Sequence, residues 1–504
     1  MNKYLMGIDV GTTGVKAMVV NTKGEIISSS YREYNCSYPN PGWVEQSAGE
    51  IIRNTFQACR DTLEKSSVDN IEAVGFSAQR ATFALVDEKN EVIEDRLYVW
   101  QDNRAATEME YIKSKMDPYE MYCIQGQPIT PTFSLEKIVW VMRNDREVYD
   151  KAKKIVMVPD YILYKFGVEE FLCEVSNAGC SSLVDIKNDR WSDEILDRFS
   201  IDKDKFPRLI EPGVAVGKVS KGASLLCGLK EGTIICSGSG DNQCGALGAG
   251  VLEEGHASMS LGTSGVLVVG SKKPLLLKDM GLMVGRALAP NLYELEGIQL
   301  GAASSYRWMR DVFCKNEIAF GEEVHMDPYD LMELYVKKSP VGANGVIFMP
   351  YLVGAGYPHW NMDAKGLFTG ITFSTTKSHM IRAVMEGITL ESKDMYENLK
   401  RNGIKIRKLS IIGGATKSKA WRQMIADMFN VEVKKLKVSD STIIGACILA
   451  GVGVGIFKDT AQGVESMVNY ESVVKPIKEN VKKYDEVYEK FKNIYESMSK
   501  NKSF

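Results

Sequence analysis

Two short turns built from the same residue types stand half the chain apart, each set between strand-like segments. The first is Asp9-Val10-Gly11-Thr12-Thr13-Gly14, between Tyr4–Gly7 and Lys16–Val20; the second is Leu261-Gly262-Thr263-Ser264-Gly265, inside Gly255–Gly270. Glycines at the ends of such a turn permit φ > 0 and bring backbone N–H groups against an anion, and the Thr hydroxyls add donors. One Gly/Thr turn also reads as an ordinary hairpin. A pair points to a duplicated phosphate clamp, and so to two α/β halves that each open on strand–turn–strand. A strand, not a helix, follows the glycines, which excludes a dinucleotide fingerprint, and the chain has no GxxxxGK[ST] loop.

The length of 504 residues agrees with more than one domain. The Gly-rich segment Gly238–Gly255 predicts a boundary near Gly250, giving an N-terminal domain over 1–250 and a C-terminal domain over 251–504. In the first half a turn at Lys23–Gly24 leads into strand Glu25–Ser29. Helical spacing covers Glu45–Lys65, and Ile71–Ser77 reads as a buried strand. In the second half Lys408–Gly413 reads as a strand and Ser418–Phe429 as a helix. The tail from Pro476 spaces Val481, Tyr484, Val487, Tyr488, Phe491, Ile494 and Tyr495 as one face of a docked surface helix.

Ser441–Phe457 carries no charge over 17 residues, the lower limit for a membrane span. Gly445, Gly451, Gly453 and Gly455 interrupt it, which favours a buried helix running into a glycine-rich loop. Lys+Arg 62 against Asp+Glu 65 leaves a formal charge of −3, with no pull toward nucleic acid or membrane. Ten singly scattered cysteines show no CxxC or Cys/His metal spacing. No signal-peptide core precedes Asp9, and a soluble, cytoplasmic protein is expected.

Two further motifs carry chemistry. Ile411-Ile412-Gly413-Gly414-Ala415-Thr416 joins a strand to a helix, where glycines admit a flat ligand such as adenine and the helix start favours phosphate; it also reads as a plain joint. Gly238-Ser239-Gly240-Asp241-Asn242-Gln243 sets one carboxylate in a turn after the apolar strand Thr233–Cys236. Phosphoryl transfer from ATP needs alignment, Mg²⁺ and a base for the hydroxyl proton, and Asp241 fits that base. The alternative is an Asp capping the next helix. Asp9 is a candidate for holding a Mg²⁺-bound water.

With these residues in view the chain resembles the FGGY carbohydrate kinases, of the actin/Hsp70/sugar-kinase fold, over nearly its whole length. Gly366-Leu367-Phe368-Thr369-Gly370-Ile371, then His379-Met380 and Ala383 to Glu386, is similar to the C-terminal family signature. Ser134, Lys137, Ile138, Trp140 and Asn144 match the N-terminal signature, and Thr132 departs from its first position. The resemblance implies an α/β protein of two ribonuclease H-like (actin-like ATPase) domains with an interdomain cleft. It implies ATP and Mg²⁺ as cofactors and a small sugar or polyol, along with a homodimer, as partners.

It also implies roles. Thr12 and Thr13 would form the first phosphate loop, Gly262 and Thr263 the second, and Gly413 and Gly414 the adenosine side. Asp241 would be the catalytic base and, with Asp9, the metal site. Gln79, Arg80, Trp100, Asp102 and Asn242 would line the sugar pocket. Glycerol kinases carry Arg-Glu at Arg80-Ala81 and Tyr at Thr132; xylulose kinases carry Met-His at Arg80-Ala81. Ser176-Asn177-Ala178-Gly179 through Asp185 and Trp191 is similar to xylulose kinases and to kinases of the dihydroxypentanedione quorum signal. A ketopentose such as xylulose is therefore the leading acceptor, ahead of glycerol or another polyol, a sugar acid or the quorum signal. A nucleotide-driven filament or chaperone would not need the pocket run or the C-terminal signature, and a silent sugar-binding regulator would be expected to lose Asp9 or Asp241.

Overall fold

The computed structural model describes residues 3–500. They form two compact units. The first runs through Glu253 and takes in Ser271–Leu295 and Asp440–Asn469; the second comprises Glu254–Gly270, Glu296–Ser439 and the chain from Tyr470. The chain thus passes between the units more often than a single boundary near Gly250 describes.

In the first unit the main sheet is ordered Ala215–Lys218, Ile234–Cys236, Ala73–Ala78, Tyr4–Val10, Gly14–Asn21, Ile26–Glu33. Tyr4–Val10 pairs antiparallel with Gly14–Asn21 and parallel with Ala73–Ala78, which pairs parallel with Ile234–Cys236. The second unit repeats this plan: His256–Leu261 pairs antiparallel with Gly265–Ser271 and parallel with Lys408–Ile412, which pairs parallel with Val433–Leu436. Two such sheets are the two α/β halves that the paired turns predict and the duplicated ribonuclease H-like plan that the family resemblance implies. The strands buried on both faces read as near-continuous apolar runs.

Helix Ala48–Glu64 starts three residues later than its periodicity suggests. Ser47 caps it, accepting from Glu50 N, and Glu45–Ser47 pair instead with Tyr98–Arg96 of a four-stranded sheet. That smaller sheet also contains Phe83–Val86 and Lys154–Met157. It positions the Arg80 and Trp100 segments at its strand ends.

The uncharged stretch is the buried helix Ser441–Gly453. Its glycines, and those facing it, set close packing rather than flexibility. A Cβ on Gly445 would come within 2.0 Å of the Cys244 carbonyl, and one on Gly75 within 2.3 Å of the Ala446 carbonyl. The helix therefore lies directly on the first sheet and on helix Asp241–Gly248. Among the described residues no helix is long and apolar enough to cross a membrane.

The tail forms helix Lys478–Lys500 and buries Tyr484, Tyr488, Phe491 and Tyr495. Each such side chain contributes about 1.5–3 kcal/mol on leaving water. The cysteines among the described residues are all free.

Candidate functional site

In the first unit the strand Tyr4–Val10 delivers Asp9 to the sheet end just before the Gly/Thr turn. Thr442, on the buried helix, donates to Asp9 Oδ2 at 3.3 Å, while Oδ1 is sealed from solvent without a hydrogen-bond partner. Burial first, then the charge of Asp241, pushes the Asp9 carboxyl up to about 7. An orphaned carboxylate oxygen facing a second carboxylate is what a cation would relieve. Mg²⁺ takes one or two protein carboxylates and fills its other positions with water and substrate phosphates. Asp9 and Asp241 fit that pattern, and no group of three or more metal-ligating side chains occurs among the described residues.

The turn itself corrects one expectation. None of Gly11, Gly14, Gly262 and Gly265 adopts positive φ. Gly14 is required for space, since a Cβ there would lie 2.5 Å from the Tyr31 hydroxyl, and Gly265 likewise, against Gln299 Oε1 at 2.7 Å. The turns are closed by Gly11 N donating to the Gly14 carbonyl and Gly262 N to the Ser264 carbonyl, both at 3.0 Å. Thr13 is exposed and keeps its carbonyl in the fold by accepting from Tyr34 N.

Thr12 is linked to the residues beyond it. Trp100 Nε1 donates to Thr12 Oγ1 at 2.8 Å, and Gln46 Nε2 to the Thr12 carbonyl at 2.6 Å. Gln79 Nε2 donates to Gln46 Oε1, and Thr82 Oγ1 donates to Gln79 Oε1. This relay makes the turn and the Gln79–Trp100 region one rigid body. Gln46 and Thr442 belong to no motif, and only the fold reveals them.

Arg80 Nε lies 3.2 Å from Asp241 Oδ1. Asp241 opens helix Asp241–Gly248, whose N-cap is Gly240, so Asp241 is not the cap; Asn242 N donates to its Oδ1 at 2.8 Å. The carboxylate is more than a third exposed, so a ligand could reach it. Ala81, next to Arg80, is buried at φ +55°, a left-handed conformation that costs an alanine about 1 kcal/mol or more. Strain of this kind persists where the surroundings hold a segment in place.

Asp102 is placed otherwise than its expected role requires. It is fully buried. Oδ1 accepts from Arg104 N and Nε, Oδ2 from Val44 N and Arg104 Nη2, at 2.6–2.9 Å. A carboxylate has about four acceptor positions, and all are filled, leaving none for a hydroxyl proton. Arg104 in turn lies over Trp43 at 3.9 Å. The pair organises the loop after Trp100, whose ring stays partly exposed.

In the second unit the other turn meets the Gly413–Gly414 joint. Gly413 does need to be glycine: its φ is +90°, and a Cβ would sit 2.8 Å from the Leu261 carbonyl. Around a cavity of about 460 Å³ stand Gly262, Thr263, Gly414, Tyr306, Tyr329 and Trp421. A Cβ on Gly414 would meet nothing within 4 Å. Tyr306 stacks on Tyr329 at 5.7 Å and meets Trp421 edge-on at 5.2 Å; its hydroxyl is buried without a partner. An aromatic-walled cavity beside a Gly/Thr turn suits a flat base with a phosphate tail.

The chain is similar to known proteins along nearly its whole length. The sequence profile of the FGGY family of carbohydrate kinases, N-terminal domain, matches residues 4–248, and that of the C-terminal domain matches 257–454. A xylulose kinase of Staphylococcus epidermidis is 30% identical over 497 residues, covering 98% of this chain and 97% of its own. A gluconokinase of Bacillus licheniformis is 28% identical over 500 residues, covering 98% and 96%. The crystal structure of ligand-bound xylulose kinase from Lactobacillus acidophilus superposes with a TM-score of 0.90 at 24% identity, over 99% of this chain and 98% of that one.

Proposed function

This chain belongs to the FGGY family of carbohydrate kinases, ATP-dependent phosphotransferases acting on sugar hydroxyl groups, and we propose that its acceptor is a ketopentose such as xylulose. Full-length similarity to xylulose kinases, at 30% identity, carries the choice of sugar. Similarity to gluconokinases, at 28%, makes a sugar acid the second reading.

In this reading Asp241 accepts the proton of the attacking hydroxyl onto a carboxylate oxygen as the sugar oxygen bonds to the γ-phosphorus of ATP and the bond to the departing ADP breaks. Arg80 orients Asp241, and a guanidinium there can donate to sugar oxygens. Trp100 offers an apolar face to the C–H edge of the sugar. Thr12 and Thr13 donate to phosphate, as do the backbone and hydroxyl of Gly262 and Thr263. The Gly413–Gly414 joint and the cavity of Tyr306 and Trp421 take the nucleoside. Mg²⁺, held through Asp9 and Asp241, would supply charge neutralisation for the phosphates when bound.

The test is ADP release by the purified protein across D-xylulose, other pentuloses, D-gluconate and glycerol. The highest specificity constant is expected on a pentulose. Glycerol or a sugar acid exceeding every pentulose would overturn the assignment.

A further inference from the structure

The segment Val175–Gly179 is a single helical turn whose residues have been given no individual role above. Glu174 anchors it, its carboxylate accepting from Ser176 N at 2.8 Å, Ser176 Oγ at 2.7 Å and Asn177 N at 3.0 Å. Ser176 Oγ lies 2.5 Å from Ser239 Oγ, two residues before Asp241. At the far end of the turn Cys180 Sγ accepts from Arg80 Nη1 at 3.5 Å and from Gln243 Nε2 at 3.9 Å. Gln243 Oε1 is packed so closely that a Cβ on Gly240 would come within 2.6 Å of it, and as near to Arg80 Cδ. The turn, Arg80, Asp241 and Gln243 are therefore one cluster in the first unit.

Within that cluster Asn177 is 1% exposed, three residues before Cys180 and so on the same face of the turn. Neither its amide nitrogen nor its amide oxygen has a hydrogen-bond partner. Gln243, 3% exposed, leaves its Oε1 unpaired as well. Buried side-chain polar groups are nearly always satisfied, and each one left bare costs the fold. Three bare amide atoms in the cluster that contains Asp241 are best explained by a ligand that completes them.

We propose that Asn177 and Gln243 are specificity-determining residues whose carboxamides hydrogen-bond the hydroxyls of a neutral polyhydroxylated acceptor. The proposal rests on the kinase reading above and narrows its substrate class. A carboxamide offers both donor and acceptor, as a hydroxyl does, so each can serve the other. A carboxylate ligand only accepts. An aldonate's hydroxyls could serve the amides as a ketose's do, but its carboxylate would add a negative charge to a cluster that already contains Asp241 and Glu174, with Arg80 set against Asp241. On charge, neutral ketoses and polyols fit better than aldonates.

The experiment measures melting temperature and kinetics for wild type, Asn177→Ala and Gln243→Leu, with D-xylulose and D-gluconate as probes. Without sugar each variant should melt no lower than wild type, since a desolvated amide has been removed. The D-xylulose-induced rise should be lost and its KM should increase about tenfold or more, while stabilisation by ATP persists. A lower melting temperature with an unchanged KM for D-xylulose would make both amides structural and overturn the proposal. So would a wild type that D-gluconate stabilises and saturates better than any neutral sugar. The melting shift reads binding without turnover. A wild type that binds D-xylulose but does not phosphorylate it would sink the function proposed above and leave this inference standing.

Discussion

The two Gly/Thr turns are the same device in two electrostatic settings. Val10-Gly11-Thr12-Thr13-Gly14 aligns with Leu261-Gly262-Thr263-Ser264-Gly265, and both follow a central strand whose neighbours have the same order and sense. One position earlier the halves part: Asp9 in the first, Ser260 in the second. Asp9 shares its surroundings with Asp241 and Arg80, whereas the second turn opens on an aromatic cavity. If both turns bind phosphate, as proposed above, their side chains divide the labour: the half with the acid would handle metal and proton, and the half without it would hold the nucleotide without repelling its phosphates.

The largest effect expected from breaking this division is at Asp241. Asp241→Asn keeps the shape but cannot take the hydroxyl proton, so turnover should fall roughly 10²–10⁴-fold while ATP still binds. Single-turnover kinetics with a separate ATP-binding titration would check it, and near-normal turnover in the folded variant would assign the base elsewhere.

Asp9→Asn should act on stability with a definite sign. A carboxyl whose folded pKa is raised to about 7 keeps its proton in the fold after the unfolded chain has lost it near 4. Its stabilising contribution is full below pH 4 and fades as pH climbs to about 7. The amide does not titrate. Asp9→Asn should therefore match wild type near pH 4 and exceed it by about 2–4 kcal/mol at pH 8 without metal. Its Mg²⁺ requirement should rise about 10–100-fold. Denaturant melts at the two pH values decide it; an equal difference at both would mean Asp9 is not held protonated.

Much of this was readable from sequence because it is local. The turns, the strand Lys408–Ile412, the helix Lys419–Phe429 and the docked face of Lys478–Lys500 follow from spacing, and the structure contains each. The failures are of longer range. Asp102 sits in a pocket-like run, and only the approach of Val44 and Arg104 shows its carboxylate to be fully engaged. Gln46 is an unremarkable residue in an apparent helix until strand pairing turns it toward Thr12 and Gln79. The glycines of the turns were legible as glycines but not for their reason, because crowding by Tyr31 or Gln299 depends on neighbours far along the chain.

The smallest effect is the sharpest test of the comparison, because it returns the missing charge. Ser260 is the penultimate residue of the strand before the second turn and is half-buried, as Asp9 is in the first. Ser260→Asp would set a carboxylate beside Gly262 and Thr263. For a phosphate bound about 7 Å away, with an effective dielectric near 20–40, the repulsion would be about 1–2 kcal/mol. The KM for ATP should rise about 5–30-fold, with the KM for sugar little changed. Ser260→Asn, of the same size but uncharged, should stay within about twofold of wild type. Added salt should shrink the gap between the two variants, since a partly exposed charge is screened. Equal losses in Asp and Asn variants, insensitive to salt, would show that size alone matters at this position. The division of labour would then rest on the aromatic cavity and not on the charge the second half gave up.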